Sequence, residues 1–210
     1  MRLMPFTLLI QHSLRYVMET TQRFNIDESH ALKHSLEVFH YANEIYTHQV
    51  NLHPYLEKQK GIIYASAILH DMCDKKYMDQ ENGLTMIKHH MKDLMSEHDL
   101  TIVGNIISTM SYSTVKKNGY PELGEYQMAY HIVREADLLS AYDLDRSLIY
   151  SLICEKLNYT DALKRVIEIT NERILTYRSD KLFITNYSKA LSLQLHRKAL
   201  KNLKLLENLL

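Results

Sequence analysis

The sequence predicts an all-α protein, organised as a bundle of about seven to nine helices. Its 210 residues include only 5 glycines and 3 prolines, so tight turns and helix breaks are rare. Apolar residues recur at helical spacing through most of the chain. Neither a GxGxxG nor a GxxxxGK[ST] sequence is present, which argues against the glycine-rich phosphate loops of α/β nucleotide-binding proteins.

The N-terminal region predicts two helices. The first is expected over about residues 6–24, with Pro5 near its start. The apolar start of the chain is broken by Pro5 and Thr7 and no A-x-A cleavage site follows, so we do not expect a signal peptide. The second helix should begin after Asp27 or Ser29, both of which are good N-cap residues. Its apolar face comprises Leu32, Val38, Phe39, Ala42, Ile45 and Tyr46.

A third predicted helix, over residues 62–69, is apolar nearly all round, which places it at the centre of the bundle. Two helices with one apolar stripe each are expected over 84–94 and 102–110. Residues 111–124 contain turn signals and are predicted to be irregular. A long helix over 125–143 and two or three more then complete the chain.

Composition limits the class of protein. The 25 basic and 25 acidic residues balance, which argues against a nucleic-acid-binding protein held by overall charge. Cys73 and Cys154 are too few for a disulfide framework or a four-thiolate zinc site, so a reducing, cytoplasmic location is expected. The sequence contains no run of 18 apolar residues, so no membrane-spanning helix is predicted. No linker divides the chain, so residues 1–210 are expected to form one domain.

The end of the chain, residues 191–210, predicts a Leu-rich helix with several basic residues. We expect this helix to pack on the domain or on a second copy of the chain; packing on a second copy would give a homodimer. Binding to a membrane surface is the alternative for such an amphipathic segment.

The central helix ends in His70 and Asp71, two adjacent ionisable groups. Burying such groups is costly unless they are paired or bind a metal. The second helix offers His34, and the long later helix offers Asp137 on an apolar stripe. Imidazole and carboxylate ligands suit a borderline or hard divalent ion. The sequence therefore predicts that His34, His70, Asp71 and Asp137 converge on one metal.

Three sequence strings resemble those of the HD-domain superfamily of metal-dependent phosphohydrolases, in particular its small single-domain hydrolases. They are DESHALKHSLEV at 27–38, AILHDMCDKK at 67–76 and IVREADLL at 132–139. The resemblance covers about residues 25–150, so it implies an HD core there with an N-terminal helix and C-terminal helices packed on it.

The resemblance implies that His34, His70, Asp71 and Asp137 are the metal ligands. It implies one divalent ion per chain, with Mn²⁺ favoured but not distinguished from Mg²⁺, Fe²⁺, Co²⁺, Ni²⁺ or Zn²⁺. His89 and His90 fall largely off the buried face of their helix, so a second ion is not expected.

Further polar residues are candidates for catalysis or substrate binding. Asp71 and Asp74 are the candidate catalytic residues, Asp74 as a proton shuttle or water positioner. Lys75 and Lys76 could meet a substrate phosphate, with a solvated loop as the alternative. Arg146 could clamp a phosphate through its guanidinium, with a surface salt bridge as the alternative. Ser111 and Lys116 are also candidate substrate-binding residues, because the loop that holds them resembles a pocket-flanking loop of similar proteins.

The resemblance implies hydrolysis of a phosphoester or phosphoanhydride bond, most readily in a nucleotide. Alarmone pyrophosphohydrolysis falls within this class. The first alternative is a ligand-sensing or catalytically silent HD-fold protein that binds metal and nucleotide without turnover. The second is an interaction module that uses the C-terminal helix. The fold by itself does not decide between them.

Overall fold

The computed structural model describes residues 6–210 and confirms the all-α prediction: ten α-helices and no strand occur in this range. Pro5 and the start of the chain lie outside the described residues. No helix within residues 6–210 is long and apolar enough to cross a membrane. The helices are α1 (Phe6–Phe24), α2 (Leu32–Val50), α3 (Lys60–Leu69), α4 (Gln80–Met91), α5 (Glu97–Thr109), α6 (Tyr112–Asn118), α7 (Gln127–Ser140), α8 (Leu144–Ile153), α9 (Tyr159–Glu172) and α10 (Asn186–Glu207).

Helix α3 is the centre of the fold, as its apolar sequence predicts. Every residue from 62 to 69 is buried, and the helix contacts α1, α2, α5 and α7. Burial of each large side chain, such as Ile63 or Leu69, stabilises the fold by roughly 1.5–3 kcal/mol. The polar residues that follow Leu69 are therefore delivered to a fixed place inside the bundle.

Helices α2, α3 and α7 contact one another pairwise. Ala42 on α2 and Ala129 and Ala136 on α7 are fully buried. These small side chains allow the helices to approach closely. This three-helix arrangement sets the positions of all four predicted metal ligands.

Two details of the predicted elements are wrong. Residues 111–124, expected to be irregular, contain α6, because Ser111 Oγ caps its start and Gly119, with a φ of 76°, ends it. The start of α2 is not capped by Asp27 or Ser29. Its N-cap is Ala31, which makes no side-chain hydrogen bond, and the Asp27 carboxylate instead accepts from the backbone N–H of Ser29 at 2.9 Å.

The C-terminal helix α10 packs on α2, α7 and α9. The segment that leads into α10 is held by Glu135 of α7, a fully buried residue. Glu135 Oε1 accepts the backbone N–H of Ile184 at 2.5 Å, and Oε2 accepts the hydroxyl of Thr185, the α10 N-cap, at 2.6 Å. The neighbouring Arg134 donates to the carbonyl of Leu182 at 2.6 Å. Polar groups inside the bundle thus anchor this helix to α7.

Candidate metal centre

The residue after α3, His70, is held in one tautomer by the backbone. Its Nδ1 lies 2.9 Å from the carbonyl oxygen of Ala67, which can only accept a hydrogen bond, so Nδ1 carries a proton. The Nε2 lone pair of the neutral ring is therefore directed away from α3. A backbone partner of this kind is the usual way in which a protein orients a metal-binding imidazole.

Three ligand atoms from three helical segments meet beside His70. His34 Nε2 lies 3.0 Å from His70 Nε2, and Asp137 Oδ1 lies 3.5 and 3.8 Å from these two nitrogens. All three atoms lie within 4.8 Å of one another, and residues 6–210 contain no other such group of three or more His, Cys, Asp or Glu ligands. Ligands about 2.1 Å from a metal would have separations of this size.

The chemistry of these atoms fits a cation. If the rings of His34 and His70 were both neutral with Nδ1 protonated, their Nε2 lone pairs would face each other at 3.0 Å. Such a contact is repulsive unless a proton or a metal ion lies between the nitrogens. His34 Nδ1 is buried without a hydrogen-bond partner, so no protein group fixes the tautomer of this ring. His34, His70 and Asp137 could therefore hold a divalent metal.

Asp71, predicted as the fourth ligand, lies next to this group but is not part of it. Its Oδ2 is 3.2 Å from His34 Nε2 and 3.3 Å from His70 Nε2. The same oxygen accepts from Arg146 Nη2 at 3.2 Å, and Arg146 Nη1 lies 3.4 Å from Asp137 Oδ1. One guanidinium thus bridges the two carboxylates.

The pKa values in the cluster favour positive charge at its centre. Burial opposes protonation of His70, but Asp71, Asp137 and the Ala67 carbonyl outweigh it and raise the pKa of His70 to about 9. Burial also opposes ionisation of Asp71 and Asp137, yet the surrounding histidines lower the pKa of both carboxyls. The carboxylates are thus ionised at neutral pH, ready to bind a cation.

A second polar network, which could not be predicted from the sequence, adjoins the candidate metal centre. Asp27 accepts hydrogen bonds from Tyr77 and from Cys154, whose Sγ lies 2.9 Å from Asp27 Oδ2. His30 Nδ1 lies 2.6 Å from Ser29 Oγ. Spacing alone gave no signal for these contacts, because they join the segment before α2 to the loop after α3 and the end of α8.

His30 is an acceptor in this network. Burial, together with the charges of Arg146 and Lys76, lowers the pKa of His30 to about 3, so its ring is neutral at physiological pH. Lys76 Nζ lies 3.1 Å from His30 Nε2, and a charged ammonium can only donate. The neutral imidazole therefore holds the Lys76 ammonium in place.

A cavity of about 420 Å³ opens beside the candidate metal centre. It shares Arg146 with the centre and His30 with the second network. Its charged side chains are mostly cationic, and its walls include aromatic and aliphatic groups. The cationic and aromatic lining residues are Lys76, Arg146, Arg165, Arg173, Tyr150 and Tyr177, with Glu155 and Glu172 as the acidic exceptions. An anionic ligand with an apolar part matches such a lining.

The structure places four other predicted site residues away from the cavity lining. Asp74 Oδ1 accepts the backbone N–H of Lys76 at 2.8 Å and so shapes the loop after α3. Lys75 is exposed. Ser111 caps α6, and Lys116 donates to Tyr112 Oη at 3.1 Å on the same helix. None of the four is among the residues that line the cavity.

Comparison with known proteins adds no family assignment: no family model matches the chain, and no curated protein or solved structure matches it either.

Proposed function

We propose that the protein is a metal-dependent phosphohydrolase of the HD-domain type that cleaves a phosphoester or phosphoanhydride bond, most readily in a nucleotide. The observation that carries the proposal is the meeting of His34 Nε2, His70 Nε2 and Asp137 Oδ1 within 4.8 Å, beside a cavity with a cationic lining. The three sequence strings that resemble HD-domain hydrolases contain these three ligands. Asp71, whose Oδ2 lies 3.2 Å from His34 Nε2 and 3.3 Å from His70 Nε2, would supply a fourth ligand.

A divalent metal at this centre would polarise a phosphoryl oxygen and lower the pKa of bound water. The residues of the chain would bind and orient the substrate. Lys76 and Arg146 supply positive charge for phosphate oxygens at the cavity wall. His30 holds the Lys76 ammonium there, and Asp74 shapes the loop that carries it. Tyr150, which is partly exposed at the cavity, offers an aromatic ring to an apolar part of the substrate, such as a base.

The test combines metal content with product release. Protein purified without chelator should contain about one divalent ion per chain. With Mn²⁺, Mg²⁺ or Co²⁺ it should release phosphate or pyrophosphate from at least one nucleotide in a panel that includes nucleotides with a 3′-pyrophosphate. His70→Ala removes a ligand atom and Asp137→Asn removes the negative charge of the carboxylate, so both variants should lose metal and turnover.

The chain contains its own control for this test. His98 and Asp99 form a second His-Asp dipeptide, in which His98 is exposed and contacts Tyr126 Oη at 3.0 Å. His98→Ala should retain metal and turnover. Metal content unchanged in His70→Ala would refute the assignment of the centre.

A second candidate is a ligand sensor that binds metal and nucleotide without turnover. It is favoured by the position of Asp74, the candidate proton shuttle, which lies outside the cavity lining. Stoichiometric nucleotide binding that requires His70, with no product after prolonged incubation, would identify this function in place of hydrolysis.

A further inference from the structure

Arg146 makes contacts that a simple phosphate clamp does not need. All three nitrogens of its guanidinium group contact protein oxygens. Nη2 lies 3.2 Å from Asp71 Oδ2, Nη1 lies 3.4 Å from Asp137 Oδ1, and Nε donates to the carbonyl of Ser29 at 2.6 Å. The side chain of Arg146 is 20% exposed, so the two ion pairs are only weakly screened by solvent.

The two carboxylate oxygens contacted by Arg146 are also those that face the histidines. Asp71 Oδ2 lies 3.2 Å from His34 Nε2, and Asp137 Oδ1 lies 3.5 Å from the same nitrogen. A divalent ion bound to the histidines and the carboxylates would therefore compete with the guanidinium of Arg146 for the same two oxygen atoms. The ion would also lie a few ångströms from a fixed positive charge, which repels it.

We propose that Arg146 couples metal binding to anion binding: it lowers the affinity of the centre for a divalent ion until a phosphoryl anion draws the guanidinium towards the cavity. Arg146 lies on the cavity wall beside Lys76, so a bound phosphate can take over its hydrogen bonds. By linkage, an anion that frees the two carboxylates raises metal affinity, and the metal raises anion affinity by the same factor. The inference rests on the proposed metal centre and adds a role for a residue that supplies no ligand atom.

The coupling has a testable sign. If Arg146 opposes the ion, its removal tightens metal binding. If Arg146 only holds the two carboxylates in place, its removal weakens metal binding. The measurement is the dissociation constant of Mn²⁺, by isothermal titration calorimetry on the full chain, with and without inorganic phosphate.

We expect Arg146→Met to bind Mn²⁺ about tenfold or more tightly than the parent protein when phosphate is absent, from the loss of a nearby like charge. Phosphate should tighten Mn²⁺ binding in the parent protein and have a smaller effect in Arg146→Met. Arg146→Lys keeps the charge but cannot bridge both carboxylates, so it should give an intermediate value. It also carries the test if Arg146→Met does not fold.

Arg165→Met is the matched control. Arg165 lines the same cavity and carries the same charge, but it pairs with Glu155 at 3.5 Å and Glu168 at 2.5 Å. Its Mn²⁺ affinity should stay within twofold of the parent value. Unchanged or weaker Mn²⁺ binding in Arg146→Met overturns the coupling while leaving the metal centre intact. Failure of the parent protein and of every variant to bind Mn²⁺ overturns the proposed function and the coupling with it.

Discussion

At the scale of single residues, neighbouring side chains in the sequence have different surroundings. Lys75 and Lys76 are adjacent and both exposed, but only Lys76 lines the cavity. Its ammonium is held by His30 Nε2 and lies 4.9 Å from the ring centre of Tyr150. The sequence offered both lysines as phosphate ligands, and the structure distinguishes them by their contacts.

Replacing Lys76 should therefore weaken anion binding, whereas replacing Lys75 should not. We expect Lys76→Met to weaken inhibition by inorganic phosphate about tenfold, the usual loss for a hydrogen bond to a charged group. Lys75→Met is the matched control and should change the inhibition constant less than twofold. Equal effects in the two variants would show that the cavity does not select Lys76.

His131 on α7 should make the stability of the fold depend on pH. Burial and the charge of Arg134 lower the pKa of His131 to about 4, against about 6.5 in an unfolded chain. Below pH 6.5 His131 binds a proton in the unfolded chain but stays neutral in the folded chain until the pH approaches 4. The stabilisation from the neutral ring is thus complete above pH 6.5 and declines as the pH falls towards 4, by at most about 1.4 kcal/mol per unit.

The measurement is the free energy of unfolding in urea at pH 7, 6 and 5. His131→Asn should reduce the decline with acidification, and exposed His89→Asn should leave it unchanged. His30, with its pKa lowered to about 3, contributes in the same direction, so part of the decline remains. A slope identical to that of the parent protein in His131→Asn would contradict the pKa assigned to this ring.

At the scale of helices, two glycines show how packing can outweigh helix propensity, which by itself favours alanine over glycine. A Cβ at Gly83 on α4 would lie 2.6 Å from Cys73 Cβ and 2.9 Å from Cys73 Cα, whereas a Cβ at Gly104 on α5 would meet only side-chain tips at 3.8 Å or more. Gly83 therefore lets α4 lie directly on the loop after α3, two residues beyond Asp71.

Gly83→Ala should destabilise the protein by about 1–3 kcal/mol, because the loop or the helix must shift. Gly104→Ala should stabilise it by about 0.5–1 kcal/mol, the gain in helix propensity. Urea unfolding of the two variants gives the comparison. Stabilisation by both substitutions would mean that the contact between α4 and the loop adapts without cost.

The helices that carry the candidate metal centre could be predicted because their sequence patterns are local. The apolar run of residues 62–69 predicted a buried helix, and His70 and Asp71 at its end predicted a polar site inside the bundle. The contacts of Arg146 with Asp71 and Asp137 could not be predicted in this way. These contacts depend on where α8 lies relative to the end of α3. The periodicity of apolar residues along the sequence does not specify that position. The same holds for the pairing of Lys76 with His30 across the segment before α2.

At the scale of the whole molecule, the centre joins parts of the chain that are far apart in sequence. His34, His70 and Asp137 belong to α2, the end of α3 and α7, so an unfolded chain holds no preformed site. A ligand that binds only the folded state stabilises it by mass action. Metal binding should therefore stabilise the packing of three helices at once.

Mn²⁺ at about 100 times its dissociation constant should raise the free energy of unfolding by about 2.7 kcal/mol. For a chain of this size that corresponds to a rise in Tm of about 5–10 °C. Differential scanning calorimetry with and without Mn²⁺ measures it. Asp137→Asn should lose the rise and His98→Ala should keep it; a rise that persists in Asp137→Asn would place the bound ion elsewhere.

The unequal burial of the two cysteines has a practical consequence. Cys73 is 1% exposed beneath Gly83, and burial raises the pKa of its thiol to about 12. Burial and the hydrogen bond to Asp27 also raise the pKa of the Cys154 thiol, but Cys154 is only partly buried, next to the network that borders the cavity, so a reagent can reach it. A maleimide dye should thus attach to the native protein at Cys154 alone, with no mutagenesis. Its emission would then report ligand entry next to the cavity in real time.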